Sequence, residues 1–170
     1  RGAAVVISGN GEVILEDLTI EVQAGIGVAA EGLRKLTLAR VRIRGKQALS
    51  ALMSKRYPLQ AIDTPLIGVV ADRVGNLQTT DLEVRGFAGF GVLLHESYVQ
   101  VTGGQFNNNV GVAMLVHGGE ATVDGLSIAD NPASRLILSP PAAGLLLSGG
   151  VTFRGDDLVL RRNGGAGLLQ

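Results

Sequence analysis

The sequence predicts an all-β solenoid, a right-handed parallel β-helix of about six coils, each with ~22 residues and three strands. Three observations predict it. A pair of apolar couplets recurs along the chain, a glycine-led third element follows each pair, and the composition suits stacked strands and tight turns.

The couplets set the period. Val13-x-Leu15 with Leu18-x-Ile20 returns as Leu36-x-Leu38 with Val41-x-Ile43, then as Leu77-x-Thr79 with Leu82-x-Val84. It returns again as Val99-x-Val101 with Gly104-x-Phe106, and as Ala121-x-Val123 with Leu126-x-Ile128. A sixth copy reads Val151-x-Phe153 with Leu158-x-Leu160, two residues longer at its bend. Leu15 to Leu38 is 23 residues, and Thr79 to Val101 and Val101 to Val123 are 22 each, so one repeat is one coil.

The third element reads Gly27-Val28, Gly68-Val69, Gly91-Val92, Gly111-Val112, Gly144-Leu145 and Gly167-Leu168. Alternation with period two points the couplet residues inward and those between them outward. Coils pairing in parallel at ~4.8 Å make a body roughly 30 Å long. A left-handed hexapeptide helix requires a period near eighteen in clean sixes, which is absent, and crossover handedness favours the right hand.

The composition is 46 % apolar but only 4 % aromatic, with no tryptophan and 25 glycines. Such a core of Val, Leu, Ile and Ala matches pleated strands. A formal net charge of zero gives no whole-surface attraction to nucleic acid or an anionic membrane. The absence of cysteine excludes disulfides, thiolate catalysis and cysteine metal sites. No apolar run reaches the ~18 residues of a spanning helix. Residues 1–170 read as a single β-helix domain. Ala3–Ile7 aligns with Ile26–Ala30, inside a third strand, and the chain stops inside another at Leu168-Leu169-Gln170. The expectation is a fragment of a longer β-helix or a chain capped by a partner.

The segment Val101-Thr-Gly-Gly-Gln-Phe-Asn-Asn-Asn-Val-Gly-Val112 carries the repeat most clearly. With it the chain resembles the right-handed parallel β-helix superfamily of pectate lyases, polygalacturonases, phage tailspikes and bacterial surface proteins. The resemblance implies a secreted or cell-surface bacterial protein and, for the enzymes among its members, particular catalytic clusters. Pectate-lyase-like enzymes gather aspartates around calcium with an arginine or lysine base, and no such cluster stands out. Polygalacturonase-like enzymes carry Asn-Thr-Asp, a double aspartate and Gly-His-Gly on successive coils, and Gly155-Asp156-Asp157 resembles only the second.

The spacing breaks twice. Ile20 to Gly27 and Val84 to Gly91 each span seven residues, whereas Ile43 to Gly68 spans 25 and Ile128 to Gly144 spans 16. Insertions at 46–66 and 132–143 therefore leave the same turn, between strands two and three, and wall a shallow saddle. Insertions on one face of a repeat array often mark its binding face. In the first, Gln47 to Arg56 is compatible with a short amphipathic helix before Pro58, and Leu49, Leu52, Met53 and Leu59 can fold over the coil below. The second carries Arg135 and Pro140-Pro141.

Asn109, Asn131 and Asn163 recur three residues beyond the inward residue of strand two, preceded at that turn by Gly45, Gly86, Asn108 and Asp130. They predict a stacked asparagine ladder that satisfies turn groups, with left-handed backbone beside it. From Arg34 to Arg56 stand eight basic residues and no acidic one. Coil alignment sets Lys35 on Glu12, Arg40 between Asp17 and Asp81, Arg42 on Glu83 and Arg44 on Glu21, so cross-coil ion pairs explain most of the run. Arg44 and Arg85 are the exception, like charges on adjacent coils, and they point to an acidic ligand. His95 and His117 follow strand three, away from the saddle, and read as solvent-exposed turn residues.

The third strand is apolar on both faces. Val6, Ala29, Val70, Leu93, Ala113, Leu146 and Leu169 are expected outward, as an interface for a second chain or a missing domain.

The reading is a non-catalytic β-helix scaffold that binds glycan or mediates protein assembly, with Arg44, Arg85, Asp130 and Arg135 as candidate ligand contacts. No metal site, cofactor, nucleic-acid partner or membrane span is expected. The alternative is a polysaccharide lyase or glycoside hydrolase with its site in the saddle, where Arg85, Asp130 and Arg135 would act.

Overall fold

A computed structural model of the chain describes residues 2–46, 65–133 and 143–170. It is a right-handed parallel β-helix in which the nineteen strands of the described residues form three sheets, each strand paired in parallel with its counterpart one coil away. Sheet I holds the first couplets: β2 (Glu12–Glu16), β5 (Lys35–Ala39), β8 (Leu77–Thr80), β11 (Tyr98–Thr102), β14 (Glu120–Asp124) and β17 (Thr152–Asp156). Sheet II holds the second: β3 (Thr19–Val22), β6 (Arg42–Gly45), β9 (Glu83–Arg85), β12 (Gln105–Asn107), β15 (Ser127–Ala129) and β18 (Val159–Arg161). Sheet III has seven strands: β1 (Ala3–Ser8), β4 (Gly25–Glu31), β7 (Pro65–Asp72), β10 (Phe90–His95), β13 (Val112–His117), β16 (Ala143–Ser148) and β19 (Ala166–Leu169).

Registry makes the core. Leu15, Leu38, Thr79, Val101 and Val123 lie over one another in sheet I, and Ile20, Ile43, Val84, Phe106, Ile128 and Leu160 in sheet II. On the inner coils these side chains are buried, whereas their equivalents on the outer coils are only partly so. Ala3, Val5, Val6 and Ile7 pair with Ile26, Val28, Ala29 and Ala30, as the sequence alignment requires.

The hydrogen-bond ladder does not stop at the corners. Between sheets I and II, Asp17, Arg40, Asp81, Gly103, Gly125 and Asp157 stack with positive φ. The N–H groups of the first five donate to the next coil at 2.7–3.2 Å, to the carbonyls of Ala39, Thr80, Thr102, Asp124 and Asp156. The corner between sheets III and I repeats the device with Gly32, Arg73, Glu96 and Gly118, and that between II and III with Gly86, Asn108 and Asp130. Each coil is thus bonded to the next around nearly its whole circumference.

Two details differ from the sequence reading. The third strand of the fourth coil is displaced by two residues: Leu93 pairs with Leu115 and Val92 with Met114, so Ala113 occupies the glycine column. Ala113 is fully buried rather than outward, and Leu115 takes its place in the outward row. The span from Phe106 to Ala113 is seven residues, as it is from Ile20 to Gly27 and from Val84 to Gly91, and Gly111 is a corner residue with positive φ. In the last coil, Phe153 pairs with Ala121 and Gly155 with Val123, so the first couplet is Phe153-x-Gly155 and there is no longer bend. Phe153 itself fills the space over Gly155, where a Cβ would lie 3.1 Å from its ring.

At Gly27, Gly68, Gly91 and Gly144 the glycine column leaves no space for a Cβ. A Cβ on Gly68 would lie 2.3 Å from Val84 Cγ1 and 2.5 Å from the Gly91 carbonyl oxygen. Gly68→Ala is expected to destabilise the chain by ~1–3 kcal/mol through overpacking. Ala113→Gly, in the same column, should cost under ~1 kcal/mol. Urea unfolding of the two variants checks the contrast.

Candidate functional site

The strand ends flanking both insertions lie at one corner, where β6 gives way to β7 and β15 to β16. Arg135, Leu49, Leu52, Met53, Leu59, the proposed 47–56 helix and the walls of the saddle lie outside the described residues. The described part of this corner is an asparagine ladder. Asn109 and Asn131 are buried. Asn109 Nδ2 donates to the Val84 carbonyl at 3.1 Å, and its Oδ1 accepts from the Phe87 N–H at 3.2 Å. Asn131 donates to the Phe106 carbonyl and to Asn163 Oδ1, and accepts from the Asn109 N–H at 2.9 Å. These amides replace backbone partners where the chain bends, so they close the corner and offer nothing outward.

Arg44 and Arg85 do sit on adjacent coils, paired in β6 and β9. The carboxylate of Glu83 stands among them: Arg85 Nε lies 3.1 Å from it, Arg44 Nη2 3.4 Å and Arg42 Nε 3.5 Å. One carboxylate thus faces three guanidiniums, and Arg44 Nε is buried with no hydrogen-bond partner. Glu21, expected to serve Arg44, meets Lys46 at 2.9 Å instead, and Glu12 meets Arg34 rather than Lys35. Longer side chains reach diagonally, which register alone does not specify.

Asp130 lies two coils beyond Arg85 at a left-handed corner position, not beside it. Arg162 grips it with two bonds, Nη2 to Oδ2 at 2.8 Å, and holds its carboxyl below the ordinary aspartate range. Asp17 and Glu21 are lowered likewise, by hydrogen bonds from Arg40 and Lys46.

The opposite corner, between sheets III and I, gathers chemistry that sequence reasoning set aside. Glu31, Asp72, His95, His117 and Ser148 stack in register at the ends of their strands. The imidazoles of His95 and His117 lie parallel, with centroids 5.3 Å apart. His95 Nδ1 is 2.6 Å from Asp72 Oδ1, and His117 Nδ1 is 3.0 Å from Ser148 Oγ. Arg73 bridges Glu31 and Asp72 at 2.6 and 2.8 Å. His95 is therefore a half-buried member of a column rather than a free turn residue. The spacing of 23 residues from Asp72 to His95 and 22 to His117 is the signal that could have found it. Beside this column a shallow groove of about 470 Å³ crosses the coils, lined by Arg73, Glu96, Tyr98, Glu120 and Thr152 among others.

On the outer face of sheet III, Val6, Ala29, Val70, Leu93, Leu115, Leu146 and Leu169 form one row. Val6 is 70 % exposed and the others after it are half-buried. Among the described residues, no group of three or more His, Asp or Glu is arranged to hold a metal, and no helix is long and apolar enough to cross a membrane.

The fold and its corner ladders define a parallel β-helix repeat protein. Compared with known proteins, the chain matches no family model, no curated protein and no solved structure.

Two outcomes are expected here. The lowered carboxyls of Asp17, Glu21 and Asp130 stabilise the fold while ionised, an effect fully present above their unfolded values near pH 4 and lost as pH falls through the lower folded ones. Asp130→Asn should flatten the decline of melting temperature between roughly pH 4 and pH 2. Asn131→Ala should cost ~1–3 kcal/mol in chemical denaturation, because the N–H of Asn109 and the carbonyl of Phe106 lose their buried partner.

Proposed function

We propose that the chain is a non-catalytic β-helix scaffold of a secreted or cell-surface bacterial protein that binds an acidic polysaccharide at the corner between sheets II and III. One observation carries this reading: among the described residues, the guanidiniums of Arg42, Arg44 and Arg85 all lie within 3.5 Å of the carboxylate of Glu83. That surplus of positive charge, with an unpartnered Arg44 Nε beneath it, suits a chain of carboxylates or sulfates lying across adjacent coils. Catalysis is disfavoured because the obvious acid–base candidate, Asp130, is ion-paired with Arg162 and held ionised. The resemblance to secreted and surface β-helix proteins supports the location.

The apolar row on sheet III supports a second role in assembly, since its residues present Val and Leu side chains on every coil but one. Light scattering over a range of concentrations tests it: association that Leu93→Glu abolishes supports the row, and a strict monomer removes it.

Affinity electrophoresis in oligogalacturonate, heparin and neutral dextran tests the main proposal. Retention by the acidic polymers should fall about tenfold in Arg85→Ala and rise in Glu83→Gln, with no new reducing ends or unsaturated products. Retention unchanged in both variants overturns the binding reading. Turnover lost in Arg85→Ala replaces the scaffold by a lyase or hydrolase.

A further inference from the structure

The groove between sheets III and I has the opposite character. Its floor is backbone: Gly75 and Gly119 line it, and a Cβ on Gly119 would lie 2.4 Å from the Ser97 carbonyl oxygen. Ser97 is buried, accepts from the Val74 N–H at 3.0 Å and donates to the His95 carbonyl at 2.8 Å, so the floor is rigidly tied to the column beside it. On this floor stands Tyr98, 39 % exposed, the one aromatic among the exposed large hydrophobic side chains of the described residues. It pairs with Glu120 on the next coil, so a carboxylate and a phenol ring stand one coil apart on the outer face of sheet I.

The charges do not balance. Arg73 lines the groove with Glu96 and Glu120, but its guanidinium is bonded to the carboxylates of Glu31 and Asp72. Glu96 and Glu120 line the groove and have no cationic partner among the described residues. Among the described residues Glu12, Glu16, Asp17, Glu21, Glu31, Asp72, Glu83 and Asp130 are answered by an arginine or lysine, whereas Glu96 and Glu120, like Asp81, Asp124, Asp156 and Asp157, are not. Glu96 holds a positive φ at its corner position, as Arg73 does on the adjacent coil.

An exposed aromatic ring flanked by two uncommitted carboxylates complements an organic cation. The ring face attracts a positive charge, worth more where water is partly excluded, and the carboxylates supply the counter-charge. A groove of about 470 Å³ falls within the size of small-molecule sites. We propose that this groove binds a small organic ammonium ion, held between Tyr98, Glu96 and Glu120. The site is independent of the arginine corner and would stand if that proposal failed.

The test is a titration of the intact chain, followed by NMR, with tetramethylammonium, methylammonium and the neutral isostere tert-butanol. Both cations are expected to shift the Tyr98 ring resonances saturably, with weak affinity that falls as salt rises, and tert-butanol to leave them in place. Tyr98→Ala, read at the Gly119 amide, and the double variant Glu96→Gln with Glu120→Gln should each weaken binding at least about fivefold while the melting temperature stays near that of the parent. A preference for the quaternary over the primary amine assigns the larger share to the ring, and the reverse assigns it to the carboxylates; either order supports the site. Equal shifts with tert-butanol, no saturation with either cation, or full affinity in both variants would overturn it.

Discussion

Everything in this molecule follows from the parallel, in-register bonding of each coil to the next. Strand pairing alone would give three separate sheets joined by loops. Here the bonding continues through the corners, because residues such as Arg40, Asp81, Arg73 and Asp130 take left-handed backbone angles and keep their N–H groups aimed along the axis. A non-glycine residue in that conformation costs about 1–2 kcal/mol. An exposed ion pair, such as that of Arg40 with Asp17, returns only ~0–1 kcal/mol. Side-chain pairing therefore does not account for the corner geometry. The continuous backbone ladder does, since every N–H it satisfies would otherwise be left without a partner at a bend packed against the core.

Once coils are locked in register, like must stack on like, and each column has to be compatible with itself at one coil's spacing. Apolar columns meet this trivially, as Leu36 over Leu77 over Val99 shows. Amides meet it by donating and accepting along the axis, which is why asparagine and no charged residue lines the interior of the second corner. Some charged columns meet it by alternation, as Asp17 under Arg40 and Asp130 under Arg162 do. The glycine column is the converse case: the asparagines and β-branched residues opposite it use the space a Cβ would need, Asn109 against Gly91 and Asn163 against Gly144.

This explains which parts of the fold were legible. The couplets, the alignment of Ala3–Ile7 with Ile26–Ala30 and the asparagine ladder each depend only on spacing, and spacing is preserved in the text of the chain. Gly111 misled because glycine has two uses here, as a corner with positive φ and as a slender inward residue, and composition does not separate them. The distance of seven residues from Phe106 does separate them and points to Ala113. Phe153-x-Gly155 was hidden for a similar reason: a large ring covers the position of its own small neighbour, so the couplet loses its apolar signature. Ion-pair partners were the least legible, because Arg34, Arg44 and Lys46 span a neighbouring column and choose by reach rather than by register.

The same logic separates scaffold from site. A column that satisfies itself has no need of a ligand, and most columns here do: the amides are closed and the alternating charges are paired. Self-stacking fails at Asp124 and Asp156, like charges in register one coil apart, and at two further places. At one corner three arginines converge on one glutamate, and at the other Glu96 and Glu120 flank an exposed tyrosine with no ion-pair partner among the described residues. Neither arrangement lowers the energy of the isolated coil stack, since like charges at one coil's spacing repel and exposed aromatic surface gains nothing from water.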